Sequence, residues 1–452
     1  MFIIYVLLFG LCNGFLLKFR FGNPFKIANM ERKTKIEYTL PKDNEQVVNN
    51  ISGFYGMIGP NVEIKKVKSL FDLFTGDGMI QGLFFDNGNI TFVKKMIRTE
   101  KLLYEEENGR IPTSMFHYIW FMLLHHVGMF PNVFGLANTA FLNTNNHTYV
   151  LYERDRPYLI DIDKENQTIH TIKKISMPLN TISGHSKFNI HTNKIKTLEY
   201  NIIRNQLHHY LLNNAFGIEK KHTIDTTYMP IPHDFIISDD KIITLDAPLL
   251  FDGRRLFNSS VPVYFDGNKP TIIHALNTHT GEHDQYTYNK GLYIFHYADI
   301  DENEDYIHIL APMYDNIDYS NLNLHGKYRK IVINKHTKNV GILHDYQLEK
   351  YNLDFPVKVG DGRIVLRNLD GNRSNGFVVC NDLHITNTFF YEHRNICGEP
   401  AIIHIKNEPY IICFAYDNAE NSYCLIININ QDKTTEIALK ENITIGFHSV
   451  FM

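Results

Sequence analysis

In NGNITFVKKMI, residues 87–97, a turn dipeptide is followed by the two-residue period of a β-strand. Asn87-Gly88 suits a tight turn, and the residues after it alternate polar Asn89 and Thr91 with apolar Ile90 and Phe92. The same period recurs in Tyr149–Ile162, Tyr410–Tyr416 and Tyr423–Ile429. Further turn pairs, Asp252-Gly253, Asp266-Gly267, Asp361-Gly362 and Asp370-Gly371, punctuate the chain. From Ile36 onward the pattern is therefore many short strands with few helical stretches, as in a propeller or a large barrel. No internal repeat of the WD or kelch kind is visible, so periodicity sets no blade count. No Pro-rich or Gly/Ser-rich linker interrupts residues 30–452, which are expected to form one domain.

Two segments depart from the strand pattern. Phe2–Leu17 is apolar and followed by Lys18 and Arg20, but it lacks a basic start and is short for a membrane span. Residues 1–29 thus read as a signal, an anchor or a loosely packed leader. Phe116–Phe130, FHYIWFMLLHHVGMF, carries the single Trp of the chain, Trp120. It is either a buried core helix or an apolar patch that dips into a membrane and admits a lipid-soluble molecule.

Composition narrows the function classes. Hydrophobic residues at 44% and charged residues at 21% are those of a globular protein with a large core. A net charge of −4, with no block of five like charges, gives no electrostatic footprint for nucleic acid. Cys12, Cys380, Cys397, Cys413 and Cys424 are irregularly spaced and contain no C-x-x-C pair, so buried reduced thiols are expected.

The 23 histidines make any single one weak evidence. Four share a setting at or within an apolar, strand-like run: His185 in SGHSKFNI, His233 in PIPHDFII, His296 in GLYIFHYADI and His448 in TIGFHSVF. Their intervals of 48, 63 and 152 residues exclude a local helical motif and would suit ligands delivered to the axis of a propeller. An all-imidazole site suits iron, copper, nickel or zinc. The competing motif His279-Thr-Gly-Glu282-His283 matches the inverted zinc-peptidase pattern, but Gly281 and its surroundings read as a turn rather than a helix. In the adjacent pair His208-His209 the side chains should diverge.

From Ile51 to Met452 the chain resembles the carotenoid cleavage oxygenase family. ISGFYGMIGPN (Ile51–Asn61) is similar to its opening segment and FTGDGMIQG (Phe74–Gly82) to its GDGM signature. GLANTA (Gly135–Ala140) and LYERDRPY (Leu151–Tyr158) match two further blocks, and the four histidine contexts occur in order. The resemblance implies a seven-bladed β-propeller, with a cap of loops and short helices over an axial Fe(II) held by His185, His233, His296 and His448. It also implies that Glu153, Glu399 and, less closely, Asp354 accept hydrogen bonds from the outer imidazole nitrogens. Asp354 stands where the family has Glu, so its shorter side chain requires a closer backbone or a bridging water. Thr139 in GLANTA matches a residue beside a vacant iron position, against the alternative of a Thr packed in the core.

Other positions depart from the family. Met57 and Leu73 replace its Arg and Trp, the block around Lys406–Pro409 is shortened, and the Pro-Asp-Pro-Cys-Lys motif of animal members is missing.

The implied activity is O₂-dependent cleavage of a conjugated double bond in an apolar carotenoid or apocarotenoid. Stilbene cleavage, retinoid isomerohydrolysis and noncatalytic binding of an apolar ligand are the alternatives.

Overall fold

The alternating segments pair into antiparallel sheets arranged as seven blades. The computed structural model describes residues 30–452 apart from 64–65, 113–114, 259–260 and 371–374, so Phe2–Leu17 and Cys12 lie outside the described residues. Blade 1 contains Arg32–Ile36, Gly53–Asn61, Asp77–Asp86 and Asn89–Met96, and takes the C-terminal strand His448–Phe451 at its opposite edge. Blades 2 to 7 are consecutive four-stranded sheets beginning at Ala140, Lys187, Ile236, Asp299, Leu353 and Asn395. Blade 4 carries an inserted hairpin, Leu249–Phe251 with Val263–Phe265.

The turn chemistry explains the hairpins. Asn87 and Gly88 both have positive φ, 48° and 84°, as a two-residue turn between right-twisted strands requires. The shortened block ends in the same device, with Lys406 at φ 50° and Asn407 at 68° joining Asn395–Ile405 to Glu408–Tyr416. Strands in the blade interiors are buried on both faces because each sheet packs between two others. Ile412, Phe414 and Cys424 of blade 7, for example, share a core with Met57, Leu83 and Phe92 of blade 1.

Gly78 of the GDGM block has a specific reason. A Cβ there would stand 2.1 Å from the Ala137 carbonyl oxygen, and the Gly78 amide donates to the Leu136 carbonyl at 2.8 Å. Only glycine lets this strand approach the segment that carries Thr139.

The apolar segment lies largely in the helix Met115–His126 and is only partly buried. Phe121, Leu124, Met129 and Phe130 are buried in a local cluster, whereas Leu123 and Val127 face outward. No described helix is long and apolar enough to cross a membrane. The four cysteines among the described residues are free and buried.

Candidate metal centre

Blade architecture turns distant histidines into neighbours. His185 lies just before Lys187–Asn189, His233 just before Ile236–Ser238 and His296 just before Asp299–Glu302, while His448 opens the closing strand. Three thus enter just before the strand that comes first in the chain and sits at the edge of blades 3, 4 and 5, and the fourth opens the closing strand of blade 1. One ligand-capable atom from each of the four lies within 4.8 Å of all the others. His185 Nε2 and His233 Nε2 are 3.1 Å apart.

These dimensions fit a metal ion. With metal–nitrogen bonds of about 2.1 Å, ligands at right angles stand about 3 Å apart and opposite ones about 4.2 Å. His296 Nε2 is buried without a hydrogen-bond partner, a costly state for a polar atom that a metal bond would relieve. The donor set is four nitrogens and no thiolate or carboxylate, which suits a first-row transition metal.

Three carboxylates back the imidazoles. Glu153 Oε1 is 3.1 Å from His233 Nδ1, Asp354 Oδ1 is 2.8 Å from His296 Nδ1, and Glu399 Oε2 is 3.2 Å from His448 Nδ1. With Nδ1 engaged, each ring presents Nε2 to the cage. Asp354 makes its bond directly, because a bulge between Asp354 and Val357 brings the backbone in. Tyr314 donates to its other oxygen at 2.5 Å and the Phe355 amide to Oδ1 at 2.7 Å.

Electrostatics follow from the burial. Desolvation, with the three neighbouring imidazoles adding to it, pushes His185 well below the ordinary imidazole range, and desolvation also lowers His448. Neutral rings are the form that binds a metal. At His296 burial opposes the charge, but Asp354, with Asp234 and Glu399 adding to it, turns the net shift upward. Burial would raise Glu153 and Asp354, yet their histidine partners hold both below the usual carboxylate range.

Thr139 precedes blade 2 and touches the same assembly. Its hydroxyl donates to Glu153 Oε2 at 3.2 Å, and its methyl abuts the backbone beside His185, so that a Cβ on Gly184 would meet it at 2.7 Å.

Several contributors carried no sequence signal. Asp234 pairs with Lys187 at 2.7 Å and accepts from the Tyr297 amide at 3.2 Å, tying together the approaches of His185, His233 and His296. Phe355 stacks on His296 with centroids 4.9 Å apart, and Arg367 lies over Phe355. Such partners are set by packing between blades rather than by local spacing.

The cage opens onto a cavity of about 770 Å³. Its wall includes Phe71, Phe74, Met229, Tyr293, Phe295 and Phe447, together with His233, His296 and His448. Leu73, another departure, also lines it, while Met57 is fully buried with its side chain against Gly398 and Gly446. The zinc-peptidase motif, by contrast, falls on a hairpin: His279 pairs with Asp240 at 3.2 Å and His283 Nε2 meets His274 Nδ1 at 2.9 Å.

The profile of the retinal pigment epithelial membrane protein family matches residues 46–452. A carotenoid 9,10(9′,10′)-cleavage dioxygenase 1 from Phaseolus vulgaris is 21% identical over 458 residues, covering 89% of this chain and 84% of the relative. The Arabidopsis thaliana protein of that name is 24% identical over 328 residues; that match spans 69% of this chain and 58% of the relative's length. Among solved structures, a cobalt-substituted apocarotenoid oxygenase from Synechocystis superposes with a TM-score of 0.72 at 16% identity, covering 94% of this chain and 96% of that one. A variant of the same oxygenase gives 0.73 at 16% identity with the same coverage, so the seven-bladed ring is shared although few residues are. With the profile spanning nearly the whole chain, the protein belongs to the retinal pigment epithelial membrane protein family, that of the carotenoid cleavage oxygenases.

Proposed function

We propose that the chain is a non-haem Fe(II)-dependent dioxygenase that cleaves one conjugated carbon–carbon double bond of a carotenoid or apocarotenoid. The observation that carries this reading is a four-imidazole cage opening directly onto a large cavity walled by aromatic and aliphatic side chains. Family membership and the names of the relatives support it. His185, His233, His296 and His448 would hold the iron, which when bound would supply the activation of O₂. Each oxygen atom ends in one of two carbonyl products, so the reaction balances without a further reductant.

The chain's own residues do the remaining work. Glu153, Asp354 and Glu399 fix the tautomer and orientation of three rings. Thr139, anchored through Glu153, restricts space at the cage with its methyl group. The apolar wall excludes water and holds a polyene in register, so bond choice is a matter of position along the cavity. No side-chain acid or base is required.

Substrates of this class are nearly insoluble, and we propose that the helix Met115–His126 contacts a membrane from which they are drawn. Met122 lines the cavity while Leu123 and Val127 face outward on the same segment. Replacing both Leu123 and Val127 with Ser should abolish sedimentation with liposomes and leave metal content unchanged. Unaltered sedimentation would remove the membrane role. Phe121 is unsuitable for this test because it is buried.

The function itself is tested by anaerobic Fe(II) reconstitution, then O₂ and a panel of carotenoids, apocarotenoids and stilbenes, with products identified by mass spectrometry. About one iron per chain, lost in His233→Ala, with paired carbonyl products is expected. A wild-type chain without stoichiometric iron would overturn the metal site. Iron with no carbonyl products from any carotenoid would overturn the proposed cleavage.

A further inference from the structure

We propose that Arg367 is a positioning residue for the metal cage, acting through Phe355 and through the strand bulge that carries Glu399. The inference rests on the four-histidine cage being a metal site.

Asp354 and Phe355 are adjacent, yet both touch His296. Asp354 Oδ1 bonds His296 Nδ1 at 2.8 Å, and the Phe355 ring stacks on the imidazole at 4.9 Å and 29°. In a regular strand adjacent side chains point to opposite faces, so this pair of contacts needs a distortion. It is supplied by the bulge between Asp354 and Val357, where Phe355 takes a φ of 53°. That is left-handed backbone, which bulky L residues adopt only when their surroundings hold them there.

Arg367 is part of what holds it. It lies directly across the sheet from Asp354, and its guanidinium carbon is 5.4 Å from the Phe355 centroid. The same guanidinium reaches into blade 7, where Nη1 donates to the Gly398 carbonyl at 2.9 Å and Nη2 to the Ile396 carbonyl at 2.8 Å. Gly398 immediately precedes Glu399, the partner of His448, and Phe355 itself lies 5.7 Å from His448. One planar fork therefore braces the supports of two of the four histidines across a blade boundary. A lysine keeps the charge but lacks both the fork and the flat face for stacking.

The test compares Arg367→Met, Arg367→Lys and Phe355→Leu with the full-length wild-type chain, loaded with Co(II) as a spectroscopic probe. Affinity is read by chelator competition, coordination by the visible ligand-field bands, and folding by melting of the metal-free protein. Both Arg367 variants are expected to bind Co(II) about 10-fold or more weakly, with altered bands and a metal-free melting transition that remains cooperative. The Phe355→Leu/Arg367→Met double variant should lose less affinity than the two single losses combined, because the two residues act on one element.

Wild-type affinity and bands in Arg367→Lys, or strictly additive losses, would overturn the assignment, and Arg367→Lys decides the matter if Arg367→Met does not fold. A wild-type chain that takes up no metal would overturn the cage and this inference together, whereas normal wild-type binding beside unchanged variants would overturn the inference alone.

Discussion

Asp354 reaches His296 despite its short side chain because the strand bulges toward the cage and Phe355 absorbs the bend in a left-handed conformation. Asp354→Asn keeps the shape but removes the charge that raises the basicity of the imidazole. Metal affinity should fall about 10- to 100-fold in a chelator-competition titration, with little change in the fold. Gly398 is constrained in a different way. Its φ is 65°, and a Cβ would stand 2.6 Å from Met57 Sδ. Gly398→Ala should therefore lower stability by about 1 kcal/mol or more, measured as the urea midpoint, and should displace Glu399. The four histidines and Glu153, Asp354 and Glu399 were legible because each sits in a local context resembling its family counterpart. Tyr314, Phe355, Arg367 and Asp234 were not, because their roles come from contacts across blades that no spacing along the chain encodes. Met57, which stands where the family has Arg, packs its side chain against Gly398 and Gly446, a contact the sequence did not reveal.

At the scale of elements, the C-terminal strand has the largest leverage. His448–Phe451 pairs with Gly53–Asn61 in the register Ile58 with His448 and Tyr55 with Phe451, joining the two ends of the described chain in one sheet. Deleting residues 447–452 should open the ring as well as remove a metal ligand. His448→Ala in the full chain removes only the ligand. Both variants should lose metal, but only the deletion should broaden and lower the thermal transition; equal melting curves would show that closure contributes little. Strand existence was readable from alternation: Asn89–Ile97 and Tyr423–Ile429 correspond to Asn89–Met96 and Ser422–Asn428. Blade number was not, since the inserted hairpin of blade 4 and the helix Met115–His126 disturb the spacing and the innermost strands begin with different chemistry. Only the family resemblance pointed to seven.

Across the whole ring, the blade-to-blade seams are unequal. Extended apolar clusters fill the seams between blades 1 and 2, 2 and 3, 4 and 5, 5 and 6, 6 and 7, and 7 and 1. Between blades 3 and 4 the described apolar cluster is small, Leu198, Phe235 and Ile242 with Ile237 beside it. The same seam buries His209 and Thr244 with no hydrogen-bond partner for either ring nitrogen or for the hydroxyl, and leaves His274 Nε2 unpartnered. Asp246 Oδ2 is 3.8 Å from that nitrogen. Burial lowers the His209 pKa to about 3, and His274 and His283 from blade 4, with His222 and His208 from blade 3, push in the same direction. An unfolded histidine titrates near about 6.5, so between that pH and about 3 the unfolded chain binds a proton that folded His209 refuses. The sign follows: His209 costs nothing above about pH 7, and on acidification it withdraws up to about 1.4 kcal/mol of stability per pH unit. Because blades 3 and 4 deliver His185 and His233, loosening this seam would also disturb the cage. Urea midpoints measured at pH 7.5 and pH 5.0 should converge in His209→Leu relative to wild type, the variant gaining most at the lower pH. If wild type and variant lose stability in parallel, the acid sensitivity lies elsewhere in the ring.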